Sequence, residues 1–93
     1  MSGFSVLVSQ TARQAYYELD EGSRKRIKRG LDALGEDPYR PRSGADIKKL
    51  AGGFEPPFYR LRIGDYRVIY TMVGEEVKIT EIVRRNQGYK WLE

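Results

Sequence analysis

The chain has 93 residues, 40% hydrophobic and 32% charged, enough for one modest core and a single domain over residues 1–93. It contains no Cys and no His, which excludes disulfides, thiolate or imidazole metal sites and every Ser-His or Cys-His nucleophile. The net charge is +4, and residues 24–49 hold nine Lys or Arg against four Asp or Glu, a balance suited to a phosphate-bearing or acidic partner. No apolar run reaches the length of a membrane span, and the N-terminus lacks a basic-then-apolar secretion pattern. A cytoplasmic protein with no membrane partner is expected.

In chain order, Phe4–Ser9 sets Phe4, Val6 and Val8 against Ser5, Leu7 and Ser9, which predicts a short strand. Ser9 or Thr11 is placed to cap a helix, with Thr11 and Gln14 in capping-box spacing and Ala12, Ala15, Tyr16 and Leu19 on its apolar stripe. Asp20-Glu21-Gly22-Ser23 interrupts that stripe and offers new caps. Ile27, Leu31 and Leu34 then mark a second helix, with Gly35 at the expected C-cap and Pro38 beyond. Arg24, Lys25, Lys28 and Arg29 sit near its start, where positive charge opposes the macrodipole. Two helices joined by about four residues form an antiparallel pair, each laying an apolar stripe on a sheet.

Asp37–Pro57 contains four prolines and three glycines and reads as a loop with one turn of helix around Ala45–Leu50. Its bases Arg40, Arg42, Lys48 and Lys49 are candidate nucleic-acid contacts, as are Arg84 and Lys90 further on.

Phe58–Tyr70 (FYRLRIGDYRVIY) predicts a hairpin with a two-residue turn at Gly64-Asp65. The register pairs Ile63 with Tyr66, Arg62 with Arg67, Leu61 with Val68 and Arg60 with Ile69. Tyr59, Leu61, Ile63, Tyr66, Val68 and Tyr70 then share one face, while Arg60, Arg62 and Arg67 share the other. Like charges opposite one another destabilise a strand pair by roughly 0.2–1 kcal/mol, so stability alone does not select this arrangement.

A second turn at Gly74 precedes a strand over Val77–Arg85. A two-residue turn would bring Arg84 to the arginine face and leave Glu81 toward the core. A three-residue turn would bring Glu81 and Arg85 to the arginine face, and it is preferred because a carboxylate is costly to desolvate. The tail, Asn86–Glu93, carries Tyr89, Lys90 and the single Trp. The fold class expected is α+β: a β-α-α-β-β-β microdomain with two antiparallel helices on a twisted, mostly antiparallel sheet and a short C-terminal tail.

Arg60, Arg62, Arg67 and Arg85, with Tyr89 from the tail, form the candidate catalytic set. Guanidinium groups present paired donors to phosphate oxygens and stay charged at any working pH. Aimed at a reacting phosphoryl group they stabilise the charge that develops there. Tyr89 would act either as a base or as a ring that stacks on a nucleobase. No acidic cluster suits Mg²⁺, so neither a metal nor a cofactor is expected, and attack by an RNA 2′-hydroxyl on its own phosphate is the matching reaction. The bland alternative pairs the arginines with Glu55, Glu76 or Glu81 in surface bridges of little energy and leaves Tyr89 and Trp91 at the core edge.

The order and spacing of these pieces resemble the RelE/ParE superfamily of toxin–antitoxin toxins, the RelE branch in particular. The resemblance runs through Ser9 and Ala12, Asp20, Leu34 with Asp37-Pro38, and Lys49-Leu50-Ala51-Gly52. It continues through Tyr59-Arg60-Leu61-Arg62, Gly64 to Tyr70, and Arg84-Arg85 with Tyr89. It implies a ribosome-dependent endoribonuclease that enters the 30S A site, cuts mRNA to a 2′,3′-cyclic phosphate and stops translation. It also implies a RelB-like antitoxin, acidic and partly disordered, that covers the basic face. In the best-known members of the family the positions of Arg60 and Arg62 are lysines that help activate the 2′-hydroxyl and stabilise the phosphate. The arginine matching Arg67 contacts the phosphate, the one matching Arg85 serves the leaving group, and the tyrosine matching Tyr89 stacks on the codon. Arginine is a poor proton acceptor, so the two replacements shift the expected catalysis toward charge stabilisation. Arg84 stands where many relatives carry His. The alternatives are a ParE-like inhibitor of DNA gyrase and a non-catalytic RNA-binding domain.

Overall fold

Ser9 and Asp20 start the two helices. In the computed structural model, which describes residues 3–50, 53 and 55–85, β1 (Ser5–Val8) leads directly into α1 (Gln10–Tyr17). The Ser9 hydroxyl accepts the Ala12 N–H at 3.0 Å, so Ser9 is the cap. Asp20 caps α2 (Glu21–Glu36), accepting the Ser23 hydroxyl at 2.7 Å and the Ser23 N–H at 3.1 Å. These hydrogen bonds hold the Asp20 carboxyl below its usual range.

The helix does not stop at Gly35 as its sequence suggests; it runs on to Glu36, with Asp37 at the C-cap. The Arg42 guanidinium bonds carbonyls at and beyond the helix end, donating to Ala33 at 2.9 Å, Asp37 at 3.0 Å and Arg40 at 2.7 Å, while the Ala33 carbonyl also accepts the Asp37 N–H. A side chain from the following loop thus does the work expected of a glycine cap. Ile27, Gly30 and Leu34 line the buried stripe of α2. At Gly30 the helix lies so close to the sheet that an added Cβ would stand 2.5 Å from Ile63 Cδ1 and 3.0 Å from Leu61 Cδ2.

Among the described residues the strands form one sheet in the order β1-β5-β4-β3-β2, with β2 Asp46–Lys49, β3 Phe58–Ile63, β4 Tyr66–Val73 and β5 Glu76–Arg84. β1 runs parallel to β5, and the other neighbours are antiparallel. The turn of helix expected around Ala45–Leu50 is absent; Asp46–Lys49 is a strand that pairs with β3. Its one apolar residue, Ile47, sits opposite Leu61 in the core, and its charged neighbours suit the sheet edge that it forms.

The β3–β4 hairpin has the register read from its sequence, from Ile63 opposite Tyr66 to Arg60 opposite Ile69. Gly64 takes φ +56°, the conformation that a tight hairpin turn asks of its first central residue. Leu61, Val68 and Tyr70 are fully buried beneath the helices together with Ile27 and Leu34. The Tyr70 hydroxyl donates to the Pro38 carbonyl at 2.7 Å, and its ring stacks on Tyr59 at 5.4 Å. Burial raises the Tyr70 phenol well above its usual range, with a smaller contribution from Tyr59.

The β4–β5 turn has two residues, not the three preferred from sequence: Val73 pairs with Glu76 across Gly74 and Glu75. The register then slips by one residue at a bulge. Tyr70 pairs with Ile79 and Ile69 with Glu81, which leaves Thr80 as the extra residue on β5. Glu81 therefore still leaves the core, as the desolvation argument required, by a different geometric route. No helix among the described residues is long and apolar enough to cross a membrane.

Candidate nucleic-acid interface

Both helices pack on the sheet face that carries Tyr66, Val68 and Tyr70, which among the described residues leaves the opposite face without a helix. Strand alternation and pairing arrange that face in rows. One row runs Asp46, Arg62, Arg67, Val83 across β2 to β5, and the next runs Lys48, Arg60, Ile69, Glu81. Arg62 and Arg67 stand directly opposite each other, the like-charge pair that the sequence predicts. Ile69, fully buried, is the apolar floor between Arg60 and Glu81.

The arginines are held by different means. Asp46 bridges Arg62 at 3.0 Å and Arg60 at 3.4 Å, and the Arg60 guanidinium also donates to the Asp46 carbonyl at 3.1 Å. The Arg60 side chain is only 14% exposed, whereas that of Arg62 is 54% exposed. Arg67 donates to the carbonyls of Gly64 and Tyr66, both at 3.1 Å, which folds it back over the hairpin turn. The N–H of Arg85 bonds the Asp65 carbonyl at 2.6 Å, so Arg85, just beyond β5, is tied to the same turn.

The remaining candidates divide. Lys48 joins the arginine face next to Arg60, which only the β2–β3 pairing brings about. Lys49 pairs with Tyr59 and is exposed at the sheet edge on the other side. Arg84 also lies on the helix-facing side, its guanidinium 5.5 Å from the centre of the Tyr66 ring and donating to the Tyr66 hydroxyl at 3.3 Å. Arg40 is exposed after α2, 3.7 Å from Asp37. Arg42 is spent on the helix C-terminus. Tyr89 and Lys90 lie outside the described residues.

Of the two acidic members of the face, Asp46 was not expected there, while Glu81 was expected on the face but given no role in the site. Asp46 was missed because a four-residue edge strand with a single apolar residue carries almost no period-two signal. The signal for Glu81 was present in the cost of burying it, although the bulge that turns it outward was not readable.

Fold and site together define a class: a small α+β protein whose helices pack on one sheet face and whose arginines gather on the other. The family model described as the ParE toxin of type II toxin–antitoxin systems, parDE, matches residues 6–89, and the chain belongs to that family, within the RelE/ParE superfamily. A chain of the archaeal RelE–RelB complex from Pyrococcus horikoshii OT3 is 30% identical, with a TM-score of 0.78 over 92% of this chain and 99% of that one. A chain of the RelBE2 toxin–antitoxin complex from Mycobacterium tuberculosis is 21% identical, with a TM-score of 0.74 over 89% of this chain and 99% of that one. Isolated Escherichia coli RelE, at 16% identity, gives a TM-score of 0.70 over 95% of this chain and 90% of its own. The latter two share the fold. No curated protein matches the chain in sequence.

Proposed function

We propose that this toxin is a metal-independent, ribosome-dependent endoribonuclease that cuts mRNA in the A site and is neutralised by an acidic, partly disordered RelB-like antitoxin. The observation that carries this reading is the gathering of Arg60, Arg62, Arg67 and Lys48 on the sheet face opposite the two helices. Such a surface binds an RNA backbone and, once water is excluded, stabilises the charge that builds on a phosphate under attack. Arg67 and Arg85 flank the hairpin turn and are assigned to the phosphate and the leaving group; Arg60 and Arg62 orient the strand. Tyr89 is assigned to stacking on the codon. A partner of the antitoxin class accords with the relatives solved as RelE–RelB complexes. The site of action is the cytoplasm, where translating ribosomes are found.

Primer extension on translating ribosomes tests the reading. Wild-type protein should produce A-site breaks ending in a cyclic phosphate, and Arg67→Ala with Arg85→Ala should reduce the cleavage rate at least about 100-fold, the scale of losing one preorganised charge donor. Undiminished cleavage by the double variant overturns the assignment. The family description names ParE, and a gyrase-directed toxin is the second reading. Intact mRNA together with stalled gyrase in the same cells would select it. Salt-sensitive RNA binding without any break would select a non-catalytic domain.

A further inference from the structure

We infer that Glu81 is the general base of the RNA cleavage, the group that takes the 2′-hydroxyl proton. The inference rests on the endoribonuclease reading and supplies what the arginine set lacks. A guanidinium has no acceptor and does not release its proton in proteins, so neither Arg60 nor Arg62 can accept one. A carboxylate can.

Glu81 is placed for that role by the β5 bulge. A two-residue turn at Gly74 and Glu75 with an unbroken ladder would leave Glu81 on the core face. The extra residue, Thr80, reverses the alternation and puts Glu81 across from Ile69 on the arginine side. The bulge is pinned from both neighbours: the Thr80 hydroxyl donates to the Ile69 carbonyl at 3.2 Å, and the Ser9 hydroxyl donates to the Thr80 carbonyl at 2.9 Å. Bulges that re-aim one side chain concentrate beside active sites.

The surroundings fit the task. The Arg67 backbone lies diagonally across the strand pair, about 7–8 Å away between Cα atoms, with its guanidinium toward the hairpin turn. Arg60 lies two strands away in the same row, about 10 Å between backbones, with the apolar Ile69 floor between them. A ribose and its phosphate bound on this face, above the side chains that cover Ile69, would meet Glu81 on one side and arginines on the other. Among the described residues the charged groups around Glu81 are Arg67 on β4, Arg60 and Arg62 on β3, Lys48 and Asp46 on β2, Lys78 on its own strand and Arg85 just beyond it. Of the other carboxylates there, Asp46 is committed to Arg60 and Arg62. Glu76 sits at the far turn opposite Val73, about 20 Å along the strand from Arg67. The Glu81 side chain makes no hydrogen bond or ion pair among the described residues.

In the step itself, a Glu81 oxygen takes the 2′-hydroxyl proton while O2′ forms a bond to phosphorus and the bond from phosphorus to O5′ breaks. Solvent protonates the departing O5′, and Glu81 returns its proton to solvent. The products are a 2′,3′-cyclic phosphate and a 5′-hydroxyl end.

Single-turnover cleavage on translating ribosomes, measured across pH for wild type, Glu81→Gln, Glu81→Asp and Arg67→Ala, tests this. Glu81→Gln should lower the rate by about 10²–10⁴-fold and lose the acid limb of the pH–rate profile. Its RNA affinity, followed by fluorescence anisotropy, should hold or rise, since a negative charge has left a basic surface. Glu81→Asp should cut slowly and keep the acid limb. A Gln variant as fast as wild type, or one with an unchanged pH profile, overturns the assignment. Circular dichroism identifies a Gln variant that fails to fold; the Asp variant then carries the test, and full-rate cleavage by it is the overturning result. Wild-type protein that cuts nothing overturns the endoribonuclease reading and the base with it, whereas wild-type cutting that needs Arg67 but not Glu81 removes the base alone.

Discussion

The Asp46 carboxylate lies 3.0 Å from the Arg62 guanidinium, and the same group reaches Arg60, so one acid on the edge strand offsets two arginines of the candidate interface. Both Asp46 and Arg62 are about half exposed, and surface pairs of this kind contribute roughly 0.2–1 kcal/mol. The greater effect of Asp46 is on the field that an incoming phosphate meets. Asp46→Asn should leave the melting temperature nearly unchanged and tighten binding of single-stranded RNA severalfold at low salt, with the gain fading as salt rises. Anisotropy titrations at several salt concentrations measure this; weaker binding at low salt would show that Asp46 acts chiefly by holding the arginines in place.

Arg42 looks in sequence like one more cation for the nucleic acid, yet it donates to three carbonyls at the end of α2. Arg42→Ala should destabilise the protein by about 1–3 kcal/mol, since a part-buried helix end loses its partners. RNA affinity should change less than in Arg62→Ala. Denaturant melts and the same RNA titrations check the two halves of the prediction.

The buried hydrogen bond from Tyr70 to the Pro38 carbonyl ties the core to the exit of α2. Tyr70→Phe should cost about 1–3 kcal/mol, because the Pro38 carbonyl is left without a partner in a dry site. The raised phenol pKa gives a second readout. Stability from a raised group is complete below its unfolded value of 10.0 and is lost as pH climbs through the folded value. Wild type should therefore weaken in strong alkali more steeply than the Phe variant, as thermal melts above about pH 10 would show.

Asp20 behaves in the opposite sense. Its folded pKa is lowered, first by the Ser23 hydroxyl and then by the Ser23 N–H, so its stabilisation is present above the usual value of 3.8 and lost as pH falls through the folded value. Asp20→Asn keeps a helix cap without the charge. Melting temperatures measured downward from about pH 6 should fall less steeply for the Asn variant, and the slope that remains belongs to Asp37, which is lowered by the Tyr39 N–H, and to the other carboxylates. Parallel curves would rule out Asp20 as a contributor to acid unfolding.

At Gly30 the helix meets β3 without room for a side chain. Gly30→Val should destabilise by about 1–3 kcal/mol through displacement of Ile63 and Leu61, despite the better helix propensity of Val over Gly. Urea unfolding is the measurement, and a neutral or stabilising Val would mean that α2 shifts at no cost.

The sequence by itself determined the parts that local rules govern. Gly64-Asp65 between two alternating runs set the hairpin register, and with it the gathering of Arg60, Arg62 and Arg67, because the pleat allows only two faces. Periodicity gave both helices, and the cost of desolvating a carboxylate was enough to turn Glu81 outward. Contacts distant in the chain decided the rest. Asp46–Lys49 became a strand because Ile47 has a place opposite Leu61 and β3 had an open edge, which brought Asp46 and Lys48 to the site. Arg42 went to the exit of α2, where the carbonyls of Ala33, Asp37 and Arg40 converge on its guanidinium. The bulge at Thr80 arose where β5 meets both β4 and Ser9, an event no window of neighbouring residues contains. The tertiary structure thus decided which acids share the arginine face, and with them the chemistry that the face can perform.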